Sequence, residues 1–217
     1  MMKNKLIRYI IAVVLLGVVV LPTAAQCGGE VLDKAAAAFE EANGISARFA
    51  MNMRAEGAGL IESFEGQLQM KGDKFTLFMP DVRIWFDGKT QWAYMVGNEE
   101  VNVTEPTGEE LQYLNPALLL GSYKKEYKAE LKGESSTASG RMAYNVELTP
   151  KKKGDITRVT LQIEKKSYLP ARIEIDMKNG SRTLIQIDEI KMGINQPDAF
   201  FVFNTKDYPD AEVIDLR

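Results

Sequence analysis

The sequence predicts one mainly β domain, a barrel or a sandwich of about ten or eleven strands. Two observations carry this. Apolar residues recur at every second position over long stretches, the mark of strands with one buried face. The stretches are separated by turn residues at hairpin spacing. The chain has 217 residues and shows no repeat, linker or composition shift, so a single domain is the economical reading.

The pattern is densest over Phe64–Val103. Phe64, Leu68 and Met70, then Phe75, Leu77 and Met79, then Val82, Ile84 and Phe86 alternate with polar positions. Lys71-Gly72-Asp73, Pro80-Asp81, Asp87-Gly88 and Gly97-Asn98 punctuate the runs; Gly, Asn and Asp tolerate positive φ, and Pro presets its own. Asp87-Gly88 between two alternating runs is a strong hairpin signal.

Residues 1–25 read as an export signal, and residues 26–217 as the mature domain. Lys3, Lys5 and Arg8 form a basic start, Ile10–Leu21 an apolar stretch too short to span comfortably, and Thr23-Ala24-Ala25 a cleavage site before Gln26. Cys27 is the only cysteine, which excludes an internal disulfide. It lies in a segment expected to be mobile. Gln26 misfits the small residue that a lipidation signal places before its cysteine, so Cys27 is expected to be free; acylation there would give an anchored protein instead.

The elements follow in order. Glu30–Asn43 is expected to be an amphipathic helix with Val31, Leu32, Ala35, Phe39 and Ala42 on one face, stopped by Asn43-Gly44. Ile45–Glu56 is a strand, with Ile45, Ala47, Phe49, Met51 and Met53 on its apolar side. The meander follows, with Trp85 opposite Ile84 and Phe86, and Trp92 and Tyr94 sharing a face. Thr104–Tyr123 breaks the β pattern. Thr107-Gly108-Glu109-Glu110 resembles a capping box, Leu111 and Leu114 give an apolar side, and Asn115-Pro116 interrupts. Ala117–Leu120 then forms a second apolar turn. The insert suits either a cover or ordinary core closure. Strands resume at Tyr127–Leu131, Met142–Leu148, Val159–Ile163, Ile173–Met177 and, after the tight Asn179-Gly180 turn, Thr183–Ile187. Pro197–Phe200 reads as one helical turn before a strand Phe201–Phe203, and the tail ends with Val213, Ile214 and Leu216.

Several function classes are disfavoured. Without the signal's three basic residues, the 27 Lys and Arg become 24 against 30 Asp and Glu, a net charge of −6. That argues against nucleic-acid binding and against docking on anionic lipid. There is no histidine, which removes the Ser-His-Asp and Cys-His arrangements and the commonest transition-metal ligand. No phosphate-binding glycine motif occurs. No enzyme and no cofactor or metal is expected. What remains is a long apolar sheet face rich in Met and Phe, with Met51, Met53, Met70, Met79, Met142 and Met177 all on inward parity. Such residues suit either a plain core or an adaptable cavity.

The residues also resemble a known family, the periplasmic lipoprotein carriers of Gram-negative bacteria, the LolA-like proteins. Ile45–Phe49 is similar to the family's first strand, and Phe64–Leu68 with Lys74-Phe75 to its next hairpin. Trp85-Phe86-Asp87-Gly88-Lys89-Thr90-Gln91-Trp92-Ala93-Tyr94 resembles its most recognisable signature, Asn115–Leu120 its lid, and Leu148–Lys151 and Phe200–Phe203 its later strands. The resemblance implies an incomplete antiparallel β-barrel of about 11 strands, with an N-terminal helix and a short helical lid over an apolar concave face. It implies a monomeric periplasmic carrier of lipoprotein acyl chains, loaded by an inner-membrane lipoprotein-releasing transporter and unloaded at an outer-membrane acceptor. The alternative is a sensor or scaffold of the same fold acting through a protein partner. Residues expected to face the acyl chains are Phe49, Met51, Phe64, Leu68, Met70, Phe75, Leu77, Ile84 and Phe86, with Leu114, Leu118 and Leu119 from the lid. One departure stands out: the family's lid-latching Arg-Pro after the second strand is absent, since Lys71 is followed by Gly72-Asp73. Lid closure would then rest on packing by Leu111, Leu114, Leu118 and Leu119.

Overall fold

The computed structural model describes residues 27–57, 59–106, 120 and 123–217. The chain opens with helix α1 (Gly28–Glu41). The first eight strands are β1 (Ile45–Ala55), β2 (Gly59–Lys71), β3 (Lys74–Phe78), β4 (Val82–Phe86), β5 (Gln91–Met95), β6 (Glu100–Thr104), β7 (Tyr127–Ser136) and β8 (Met142–Pro150). Then come β9 (Ile156–Glu164), β10 (Pro170–Met177), β11 (Arg182–Met192), two short 3-10 turns and β12 (Glu212–Asp215). All twelve strands form one open sheet in the order β12-β6-β5-β4-β3-β2-β1-β11-β10-β9-β8-β7. The sheet is not closed, as an incomplete barrel requires.

The sheet is built around three long central strands. β1 pairs with β2 on one side and β11 on the other along almost its whole length. β3 meets β2 only over Gln67–Lys71, so Gly59–Gly66 of β2 runs on without a neighbour there among the described residues. β10 meets β11 only over Arg182–Gln186, so Ile187–Met192 runs on in the opposite direction. The short strands β3–β6 therefore sit towards one end of the central three, and β7–β10 towards the other. This stagger is the shear that lets a twisted sheet curl towards a barrel.

Alternation then sorts the side chains onto two faces. On the concave side, α1 lies over the β7–β10 half. Its Val31, Leu32 and Ala35, all fully buried, pack with Tyr144, Val146, Leu148, Val159, Leu161 and Ile163. Asn43 (φ 46°) and Gly44 (φ 104°) turn the chain out of the helix, and a Cβ at Gly44 would run into the carbonyl of Ile194. Leu120 and Tyr123 join this core. The single proton of the Tyr123 hydroxyl is shared between two acceptors, Gly29 O (2.9 Å) and Asp33 Oδ1 (2.8 Å), tying the chain ahead of β7 to the first turns of the helix.

On the convex side the two halves differ. Across β7–β11, alternating charges run from strand to strand. Glu130 bridges Lys128 and Lys132 (2.8 Å each), and Lys132 reaches Glu147 (3.1 Å). Arg158 and Arg182 both clasp Asp176 (2.6 Å each), and Glu174 joins Arg182 to Arg172. Behind β3–β6 the face is apolar: Trp85, Tyr94, Val101 and Val103 are covered by Phe203 and Tyr208 of the C-terminal segment. Trp85 meets Phe203 and Tyr208 edge-on at 5.3 and 5.6 Å.

This tail corrects one expectation. Phe201–Phe203 is not a strand. Asp198–Phe201 forms a 3-10 turn, and Phe201 and Phe203 bury their rings while Val202 stays 38% exposed. The final residues do form a strand, β12, but it pairs in parallel with β6. Cys27 is the exposed N-cap residue of α1, and its carbonyl accepts from the Val31 amide.

Candidate functional site

The candidate site is the concave face of the other half-sheet. Parity brings Phe49 from β1, Leu68 and Met70 from β2, Phe75 and Leu77 from β3, and Ile84 and Phe86 from β4 into one buried apolar cluster. The register explains it: Leu68 faces Ala47 and Leu77, Met70 faces Ile45 and Phe75, and Phe75 and Leu77 face Phe86 and Ile84. The rings of Phe75 and Phe86 lie 5.2 Å apart and tilted. Met51, Met79, Val82, Ala93, Ile185 and Ile187 extend the cluster along the sheet.

Nine of the twelve expected residues can be placed. Seven form the cluster, and Met51 packs on it half-buried. Phe64 is the register partner of Met51 on the same parity; it is half-buried and lies on the overhanging part of β2, outside the cluster. Leu114, Leu118 and Leu119 lie outside the described residues, as does Leu111. Two of the inward-parity methionines depart from expectation: Met53 and Met142 are 37% and 49% exposed. Both lie close to strand ends, where the sheet has run past its cover.

What faces this cluster differs from what faces its neighbour. Over β7–β10, α1 supplies a second layer. Among the described apolar residues packed on this cluster, Phe39 of α1 and Met79 of the β3–β4 turn come from outside the strands. Its members are aliphatic, aromatic and thioether side chains, so the face offers dispersion and water exclusion. One polar atom stands beside it. Gln91, on the parity of Ala93 and opposite Phe86, has a buried Oε1 without a hydrogen-bond partner. Sequence reading passed over Gln91, although its place in the alternation of β5 was the available signal. Among the described residues, no cluster of acids and thiols could hold a metal ion, and no helix is long and apolar enough to cross a membrane.

The basic residues at the β2–β3 turn hold the C-terminal segment. Lys71 Nζ donates to Gln196 O (2.9 Å) and Asn195 Oδ1 (3.2 Å), and Lys74 Nζ pairs with Asp198 (2.7 Å). The Lys74 hydrogen bond holds the Asp198 carboxyl below its ordinary value of 3.8. Where the resemblance implied a lid latch, this chain clamps its own tail.

Comparison with known proteins places the chain. In crystal structures, the fold is similar to an uncharacterized conserved protein from Thermus thermophilus, at 15% identity and a TM-score of 0.60 over 86% of this chain and 97% of that one. It is also similar to a LolA superfamily protein from Nitrosomonas europaea (14% identity, TM-score 0.45, 82% and 98% covered). The lipoprotein LppX of Mycobacterium tuberculosis is similar at 12% identity (TM-score 0.46, 77% and 96% covered). No curated protein matches the chain. The family model described as outer membrane lipoprotein carrier protein LolA matches residues 20–181, most of the chain. By that match, and with an open β-sheet curled around an apolar concave face, the chain belongs to the LolA family of outer membrane lipoprotein carrier proteins.

Proposed function

We propose that the protein is a non-catalytic periplasmic carrier that shelters the acyl chains of lipoproteins against its concave apolar face on the way to the outer membrane. One observation carries the reading. The seven-residue cluster of β1–β4 forms a continuous apolar face, and the described apolar residues packed on it from outside the strands are Phe39 of α1 and Met79 of the β3–β4 turn. Each methylene transferred from water to such a surface contributes about 0.8 kcal/mol, so one acyl chain supplies useful affinity without covalent chemistry. The partly buried Met51 and Met79 give the site flexible walls, suited to chains of variable length. In this reading an inner-membrane lipoprotein-releasing transporter loads the face and an outer-membrane acceptor empties it.

The test is uptake of a fluorescent fatty acid, with native mass spectrometry of the purified protein. Wild type is expected to take up the probe and to carry lipid or lipopeptide through purification. Leu68→Glu, at the centre of the cluster, is expected to lose uptake while remaining folded; Leu118→Glu is its companion in the insert. Unfolding of both variants, with no uptake by wild type, would leave a packed β core. A protein partner in place of lipid would favour a sensor or scaffold.

A further inference from the structure

The sheet has an opening in its middle. β10 starts at Pro170, which has no amide N–H to give to a neighbour, and Ala171 is bulged out of the β9–β10 register. Gln186 ends the β10–β11 ladder: its Nε2 donates to Ala171 O at 3.0 Å, where the next strand bond would fall. Beyond it, among the described residues, β11 continues through Ile187–Met192 with β1 on one side only. A slot of about 370 Å³ lies along this free edge. Leu169 and Pro170 form one wall, and Ile187, Asp188, Ile190 and Met192 the other.

Two properties say what would fill the slot. A strand edge that pairs on one side leaves alternate N–H and C=O groups aimed outwards, and these match another extended backbone. The slot is also continuous with the concave cluster, because Ile187 packs on the cluster and lines the slot. Its charge is unbalanced. Arg141 is paired with Glu164, and Glu189 is held by Arg48 (3.0 Å) and Lys191 (3.3 Å). Asp188, the extra residue of the β1–β11 bulge, is exposed and has no ion-pair or hydrogen-bond partner among the described residues.

We propose that this slot takes the extended peptide that follows the acylated end of a lipoprotein, as a strand added to Ile187–Met192. This rests on the carrier reading. The acyl chains lie on the cluster, the peptide leaves past Ile187, and a basic side chain of the peptide pairs with Asp188. The slot thus recognises main chain and one positive charge, and tolerates many sequences.

The experiment uses the full mature chain and three probes: a fluorescent fatty acid, a synthetic diacylated cysteine peptide with a lysine-containing tail, and that tail without lipid. Hydrogen exchange is followed at the amides of Ile187–Met192. The lipopeptide is expected to slow exchange there, and the fatty acid to leave it unchanged. Asp188→Lys is expected to weaken the lipopeptide about fivefold through lost attraction and added repulsion, with fatty-acid uptake intact. If fatty acid and lipopeptide both bind, yet exchange is unaltered and Asp188→Lys has no effect, the slot proposal is overturned and the carrier stands. If the bare tail protects Ile187–Met192 in a protein that takes up no fatty acid, the slot stands and the carrier falls. Binding of none of the probes overturns both.

Discussion

Phe49 lays its ring across Gly66. The two residues face each other between β1 and β2, and a Cβ on Gly66 would come within 2.9 Å of Cε2 of that ring. The glycine is a platform that lets an aromatic side chain lie flat on the neighbouring backbone. Gly66→Ala is expected to lower stability by about 1–2 kcal/mol, because the ring must be pushed off its seat. In a Phe49→Ala background the same change should become neutral or mildly stabilising, since alanine costs less chain entropy than glycine. A double-mutant cycle by urea unfolding reads the coupling; additive effects would show that ring and glycine are independent.

Gln91 carries a buried acceptor that nothing among the described residues satisfies. An unpaired buried polar atom costs about 1–3 kcal/mol. Gln91→Met should therefore raise the melting temperature. If the carbonyl serves an amide or hydroxyl of the bound lipid, the same change should weaken lipopeptide binding. A more stable protein with undiminished binding would assign Gln91 no part in the site.

The Tyr123 hydroxyl joins Gly29 O and Asp33. Burial first, and Asp33 second, push its pKa upwards, so it stays a donor throughout the neutral range. Tyr123→Phe should lower stability by about 1–2 kcal/mol and speed hydrogen exchange across Gly28–Glu41. An unchanged exchange rate would mean that apolar packing alone docks the helix.

Acid should weaken the fold through its convex face. Burial works against ionisation of Asp176, but hydrogen bonds from Arg158 and Arg182 outweigh it and hold its carboxyl below the ordinary 3.8. Lys128 and Lys132 bring Glu130 from 4.5 to about 2. The unfolded chain binds protons at these groups before the folded chain does. Their contribution is complete above about pH 4.5 and is lost as pH falls towards the folded values. The melting temperature should drop between pH 5 and pH 2.5, and the gap between wild type and Asp176→Asn should narrow over that interval. A gap constant with pH would show that the charge of Asp176 contributes nothing.

The sheet was legible where structure is local. The alternation of Phe75, Leu77, Ile84 and Phe86 and the Asp87-Gly88 turn specify β3, β4 and the start of β5 within a dozen or so residues. In that turn, Asp87 Oδ1 accepts from the amides of Lys89 and Thr90. Non-local features were not legible. Phe200–Phe203 has the composition of a strand, yet its packing is set by a distant partner: the Phe203 ring is drawn to Trp85, more than a hundred residues earlier. β12 is too short and polar to declare a parallel partner. Parity put Phe49 and Leu68 on the candidate site, but could not show that Gly66 is the seat of Phe49. Nor could it show that Met53 and Met142 lie beyond their cover, because exposure depends on where neighbouring strands stop.

The pairing of β1 with β11 also sets a timetable. Ile45 meets Met192, and the last strand, Glu212–Asp215, closes beside β6. Each half-sheet can form from neighbouring hairpins, but the seam joining them waits for nearly the whole chain. Contacts so distant in sequence make folding slow, on the order of milliseconds to seconds. A chain that emerges N-terminus first thus has β1 and β2 exposing Phe49, Leu68 and Met70 to water before β11 arrives. Until then that apolar hairpin has no partner from β11, and it is the segment most open to association with other chains.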